Sequence, residues 1–236
     1  MGRAIATTNW GLVFAARTDH PDRRREALAG LYQLYWYPLY AFIRRQGQSQ
    51  DEAADLVQAF FVHLIEREAL ASVDPALGRF RAFLLVSLKN FLSNEHDRQQ
   101  AKRRGGGALR LPIEAEDTDR RYQSGDATAD PERLFERQWA LTVVGRALER
   151  LRTRYAGMGK GHEFEVLSSF LTSSSAQPTY VSAAAALGAS DGAVRTALHR
   201  LRQRFGKALR EEVAETVAHS SDIDAELRFL FAALDT

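Results

Sequence analysis

The chain has 236 residues, 45% of them apolar and 26% charged, with no cysteine and a formal net charge of +2. That apolar content can fill one large core or two small ones, and the missing cysteines exclude a disulfide framework and a thiolate metal site. There is no run of the roughly 20 apolar residues that spans a bilayer and no signal-peptide core at the N-terminus, so the expectation is a soluble cytoplasmic protein with no membrane insertion. The small net charge hides a segregation along the chain. Residues 1–105 carry net +4, residues 106–135 net −3, residues 136–214 net +5 and residues 215–236 net −4. Two basic blocks separated and followed by acidic stretches point to a polyanionic partner.

Asn9 precedes a short apolar run from Trp10 to Arg17, which reads as a capped helix. Pro21 suits the first turn of a longer helix with Leu28, Leu31, Leu34, Tyr35, Leu39, Phe42 and Ile43 on its apolar face. Pro38 is expected to kink that helix or remove one of its hydrogen bonds. Five aromatics between Tyr32 and Tyr40 are expected to lie mostly in the core. Gly47 ends the helix, and Ser49-Gln-Asp-Glu52 has capping-box spacing for the next, which runs to about Leu70. Asp51, Glu52 and Asp55 in its first turn are explained by the helix dipole alone.

From Gly78 to Gly107 comes a helix with Phe80, Phe83, Leu84, Leu88, Phe91 and Leu92 at three- and four-residue steps. Arg81, Lys89, Asn90, Asn94, His96 and Arg98 fall on the other face, followed by Lys102-Arg103-Arg104 and three glycines. Cations beside amides suit phosphates and bases. Residues 106–130 are acidic and aperiodic, as expected of a flexible linker. A helix restarts at Pro131 and is broken at Gly157 and Gly159, and another follows from about His162 to Leu171. Val181–Leu187, Gly188 and a Ser190-capped helix with Val194, Leu198, Leu201 and Phe205 inward form a helix-turn-helix pattern. Arg195, Thr196, His199 and Arg200 point outward from it, and arginine there can bind phosphate and read guanine in the major groove.

On these motifs the chain resembles the sigma-70 family of bacterial RNA polymerase sigma factors, in particular the two-domain extracytoplasmic-function group. The segment Glu52–Phe61 resembles the helix that grips the polymerase clamp, Phe80–Leu92 the helix that opens the −10 element, and Tyr180–Arg202 the −35-reading unit. The implied fold is all-α. A sigma domain 2 bundle spans 1–105, an acidic linker 106–130, sigma domain 4 131–215 and a helical extension 216–236. The resemblance implies polymerase contacts at Glu52, Asp55 and Gln58. It implies −10 contacts at Lys89, Asn90, Asn94, Lys102, Arg103 and Arg104, and −35 contacts at Arg195, Thr196, His199 and Arg200. The segment from Val73 to Arg79 resembles the family's base-specificity loop. The implied partners are RNA polymerase core, promoter DNA, and an anti-sigma factor or regulatory kinase, with no cofactor and no metal.

Ala54 and Ala59 stand where acids are frequent in the clamp-binding motif, and Ala183-Ala184 where a Glu-Ile pair is common. The first departure implies weaker polymerase binding or help from another contact or a modification. The tail carries Ile223, Leu227, Leu230, Phe231 and Leu234 on one side. It is expected to complete the second domain's core, or alternatively to fold back over a basic DNA-binding face or dock on the polymerase, giving built-in regulation. The rival functional reading is a helix-turn-helix regulator that acts without being a polymerase subunit. An enzyme is not expected, since HExxH, Walker and GxGxxG motifs are missing. His162-Glu163 and Glu95-His96-Asp97 read as surface or capping residues.

Overall fold

The computed structural model describes residues 9–18, 20–66, 70, 73–74, 79–102, 130–171, 179–217 and 219–235. Among them are nine α-helices and no strand: α1 (Asn9–Ala16), α2 (Pro21–Arg45), α3 (Gln50–Glu66), α4 (Phe80–Lys102), α5 (Pro131–Gly157), α6 (Gly161–Ser168), α7 (Tyr180–Leu187), α8 (Asp191–Ala214) and α9 (Ile223–Leu234). The all-α expectation therefore holds. The chain divides into two units, one of residues 1–142 with 214–236, the other of residues 143–213.

The first unit is built around α2. Pro21 sits in its first turn and Asp22 complements the positive helix end. Pro38 lies inside the helix, which nevertheless runs on to Arg45. Tyr35, Trp36, Tyr37 and Tyr40 are buried, and half-buried Tyr32 meets Phe61 of α3 at 4.9 Å between ring centres. The aromatic run is thus core. Val57, Phe60 and Leu64 of α3 and Phe80, Leu84 and Leu88 of α4 complete it. Helix α1 lies close on α2, because a Cβ at Gly30 would stand 3.0 Å from Leu12 Cδ1. The capping box forms as the spacing predicts. Ser49 N donates to Glu52 Oε2 at 3.0 Å, and Glu52 N donates to Ser49 Oγ at 3.3 Å.

Two outcomes differ from the sequence expectation. The first turns of α5 and all of α9 count with the first unit rather than with the second. The reason is a second apolar seam on α4: Trp139 of α5 is fully buried, and its ring lies 6.0 Å from that of Phe229 of α9. The tail thus fills the first unit's core, where the favoured expectation had it closing the second. Arg81, expected on the polar face of α4, is buried against the same seam.

The second unit comprises the rest of α5 with α6, α7 and most of α8. Phe164 and Leu167 of α6 are buried, with Phe164 5.6 Å from Tyr155 of α5. Thr179 caps α7 by accepting from Ser182 N at 3.1 Å. Gly188 closes it in the left-handed region, φ +60°, which a side chain makes costly. Ser190 Oγ accepts from Ala193 N at 3.3 Å to start α8. Buried Ala183 and Ala184 face inward, as do Val194, Leu198 and Leu201. His162 donates to the carbonyl of Ala186 at 3.1 Å, a capping role of the kind expected for it.

Arginines of α5 pair with the end of α8. Arg146 Nε lies 3.1 Å from Glu212 Oε2, Arg150 2.6 Å from Glu212 Oε1, and Arg154 2.8 Å from Glu211 Oε2. Burial works to raise the Glu211 carboxyl. The Arg154 hydrogen bond and the charges of Arg154 and Arg150 outweigh it and hold the group below its ordinary value. A depressed folded value stabilises fully above the unfolded carboxyl value of about 4.3, and that stability is lost as pH falls through the folded value.

Urea unfolding between about pH 3 and pH 7 should accordingly show a flatter acid limb for Glu211→Gln than for the parent. Gly188→Ala forces a side chain into the left-handed region and should cost about 1 kcal/mol, read as a lowered unfolding midpoint.

Candidate nucleic-acid interface

Helix α4 presents its polar side in two parts. Over its second half, Lys89, Asn90, Asn94 and His96 are exposed, as the periodicity predicts. Lys89 pairs with Glu132 at the start of α5, and both side chains are about half exposed. A cleft of about 350 Å³ opens beside it, lined by Ile43, Gln46 and Gln48 at the end of α2, Leu56 of α3, and Lys89 and Ser93 of α4 among others. Its lining mixes the apolar Ile43, Leu56 and Leu92 with the amides of Gln46 and Gln48, Lys89, Glu95 and His96, groups able to contact a flat heteroaromatic ring and hydrogen-bond its edge.

Over the first half of α4 the cations are occupied. The Arg81 guanidinium pairs with Glu226 of α9, and Arg79 Nε approaches the other carboxylate oxygen to 2.9 Å. Arg81 and Glu226 are 5% and 1% exposed, so the pair is shielded from solvent screening. Arg81 also lies 3.8 Å from the Phe229 ring centre and 4.5 Å from that of Trp139. Burial pulls the Arg81 guanidinium below its ordinary value, against the Glu226 charge that supports it. Half-buried Glu136 of α5 is raised by desolvation, which the charges of Arg81 and Arg79 partly offset. Sequence reasoning missed Glu226 and Glu132. A signal was present, since Glu226 falls in phase with Ile223 and Leu230, and Arg81 with Leu84, Leu85 and Leu88.

The remaining −10 candidates are not all described: the Lys102 side chain, Arg103 and Arg104 lie outside the described residues. Of the expected specificity loop, Val73 is buried and its carbonyl accepts from Arg17, Asp74 and Arg79 are exposed, and residues 75–78 lie outside the description. On α3, Glu52 and Asp55 are exposed and Gln58 is half-buried. The Glu52 carboxylate also accepts from Ser49 Oγ at 2.6 Å, and the two Ser49 hydrogen bonds hold its pKa below the ordinary value.

In the second unit, Arg195, Thr196, His199 and Arg200 are all exposed on α8. The i, i+4 spacing aligns Arg195, His199 and Gln203 along one strip, and His199 Nε2 lies 3.0 Å from Gln203 Nε2. The Arg195 guanidinium stands 4.8 Å over the Tyr180 ring, which stacks on Phe170. Thr196 donates to the Gly192 carbonyl at 2.9 Å. The strip is preorganised by neighbours that do not neutralise its charge.

Helices α2, α3 and α4 carry a recognisable pattern as a set. Residues 31–102 match the family model for Sigma-70 region 2. No curated protein and no solved structure matches the chain. The match supports a sigma-70 family sigma factor, and factors of that family are non-enzymatic proteins of transcription initiation. It ends at Lys102, so it covers α3 and α4 with their candidate residues and leaves α5 to α9 to be argued from geometry. Among the described residues, no cluster of His, Asp and Glu is arranged to hold a metal ion, and no helix is long and apolar enough to cross a membrane.

Removing one member of the buried pair strands the other. Arg81→Met should destabilise the protein by about 3 kcal/mol, and Arg81→Met with Glu226→Leu by clearly less, measured by urea unfolding.

Proposed function

We propose that this chain is a promoter-recognition subunit of the two-domain extracytoplasmic-function kind. In this reading it binds RNA polymerase core through α3, opens the −10 element with α4 and reads the −35 element with α8. The observation that carries the reading is the Sigma-70 region 2 match over α2 to α4 together with the exposed Asn90 and Asn94. Opening a duplex costs a few kcal/mol of unstacking, which a platform that captures an extruded base offsets. Asn90 can hydrogen-bond such a base, and the cleft beside Lys89 has the lining to receive one. Glu52, Asp55 and Gln58 are the polymerase contacts. With Ala54 and Ala59 exposed or half exposed between them, that surface is only lightly acidic, which argues for a supplementary contact or modification.

The −35 role rests on a separate set of facts. A Thr179-capped helix, a left-handed glycine and a Ser190-capped helix have the form of a helix-turn-helix. Its second helix shows Arg195, Thr196, His199 and Arg200 to solvent. Arginine there supplies phosphate affinity and guanine readout.

Transcription from a promoter library with reconstituted polymerase tests the proposal, and failure to bind polymerase core would leave α7 and α8 as a regulator acting alone. Arg200→Ala should weaken binding to duplex promoter DNA by about 1–3 kcal/mol and relax preference at the −35 site. Asn90→Ala should instead reduce strand opening, followed by permanganate reactivity, with duplex binding retained. Equal losses of opening in the two variants would contradict the division of labour.

A further inference from the structure

Arg81 and Lys89, the described cations of α4, are each paired with a carboxylate from a helix that follows it in the chain. Glu226 of α9 holds Arg81 and reaches Arg79, and Glu132 of α5 holds Lys89. Asn90 and Asn94, which follow these cations along α4, stay exposed. Hydrogen-bonding groups of α4 are thus open while its described positive charges are spent on the protein itself. We infer that α9 and the start of α5 form an internal clasp that occupies the polyanion-binding cations of α4, and that the DNA backbone displaces it.

The two contacts differ in strength, and the difference gives the clasp a latch and a screen. Lys89–Glu132 is half exposed, and such pairs are weak enough for phosphate to compete directly. The Arg81–Glu226 pair is buried beneath Phe229, so Arg81 reaches a phosphate only if α9 lifts away. Helix α9 has the features of an element able to lift. It is twelve residues long, follows a short 3-10 turn (Ser220–Asp222), and leaves Phe231 52% exposed on its outer side. The segment 215–236 has net charge −4, so it is repelled by the DNA that replaces it.

This inference rests on the promoter-recognition reading, and the test separates the two. Amide hydrogen exchange of α9 is measured in the full-length chain, free and in complex with polymerase core and a forked promoter fragment chosen by transcription from the library. The clasp predicts exchange in α9 about tenfold faster in the complex. Unchanged or slower exchange in a complex that transcribes overturns the clasp and leaves the promoter-recognition reading intact. A chain that supports no transcription from any promoter overturns that reading, and the clasp falls with it. A second variant does not depend on the buried pair surviving mutation. Glu132→Gln should free Lys89, tighten binding of the free chain to the same fragment about threefold at low salt, and steepen the salt dependence by about 0.9. An unchanged slope would also overturn the clasp, because Lys89 would then not be withheld from phosphate.

Discussion

A carboxylate and a guanidinium withdrawn together from water organise the first unit. Burying either Arg81 or Glu226 alone would carry a desolvation penalty of several kcal/mol. Together the two charges offset each other, with Arg79 close to the second carboxylate oxygen and the faces of Phe229 and Trp139 around the Arg81 guanidinium. Because the partners lie on α4 and α9, the pair joins the middle of the chain to its last helix and draws the start of α5 in beside them. A buried ion pair is weak evidence for added stability, since apolar residues could fill the same space. Its effect is on specificity, because an unpaired Arg81 penalises any arrangement in which α9 packs elsewhere.

That constraint separates two kinds of basic surface. On α8, Arg195 is held by the Tyr180 ring, which orients the guanidinium without cancelling its charge. On α5, by contrast, Arg146, Arg150 and Arg154 are paired with Glu211 and Glu212, so these cations serve the fold. The second basic block therefore resolves into a structural set and a displayed set. The first block resolves in a similar way, with Arg79, Arg81 and Lys89 engaged and Asn90 and Asn94 displayed. Net charge along the chain reports the sum of the two sets and says nothing of the split.

The match to Sigma-70 region 2 gives α3 and α4 a common context, and the roles proposed for them, gripping polymerase and opening strands, would need the two helices held in fixed register. The structure supplies that register through Phe60 and Phe91, whose ring centres lie 5.6 Å apart between α3 and α4. The capping box that begins α3 also explains part of its acidity. Glu52 completes the helix start while remaining exposed, so one carboxylate serves the fold and still faces solvent.

What was legible in the sequence was everything governed by short-range periodicity and turn chemistry. The helices, the Ser49–Glu52 box, the Gly188 turn with its Ser190 cap, the buried aromatic run of α2 and the exposed strips of Asn90 and Arg195 all follow from residues within a few turns of one another. Such local signals act through hydrogen bonds and side-chain spacing that the backbone repeat dictates. The placement of α9 and the fate of Arg81 lay beyond that reach. A residue that looks polar in its own helix becomes core when a carboxylate 145 positions away arrives opposite it, and only the tertiary packing sets that meeting. The sequence by itself determined which helices form and which faces carry charge, while the folded chain decided which of those charges remain for a partner.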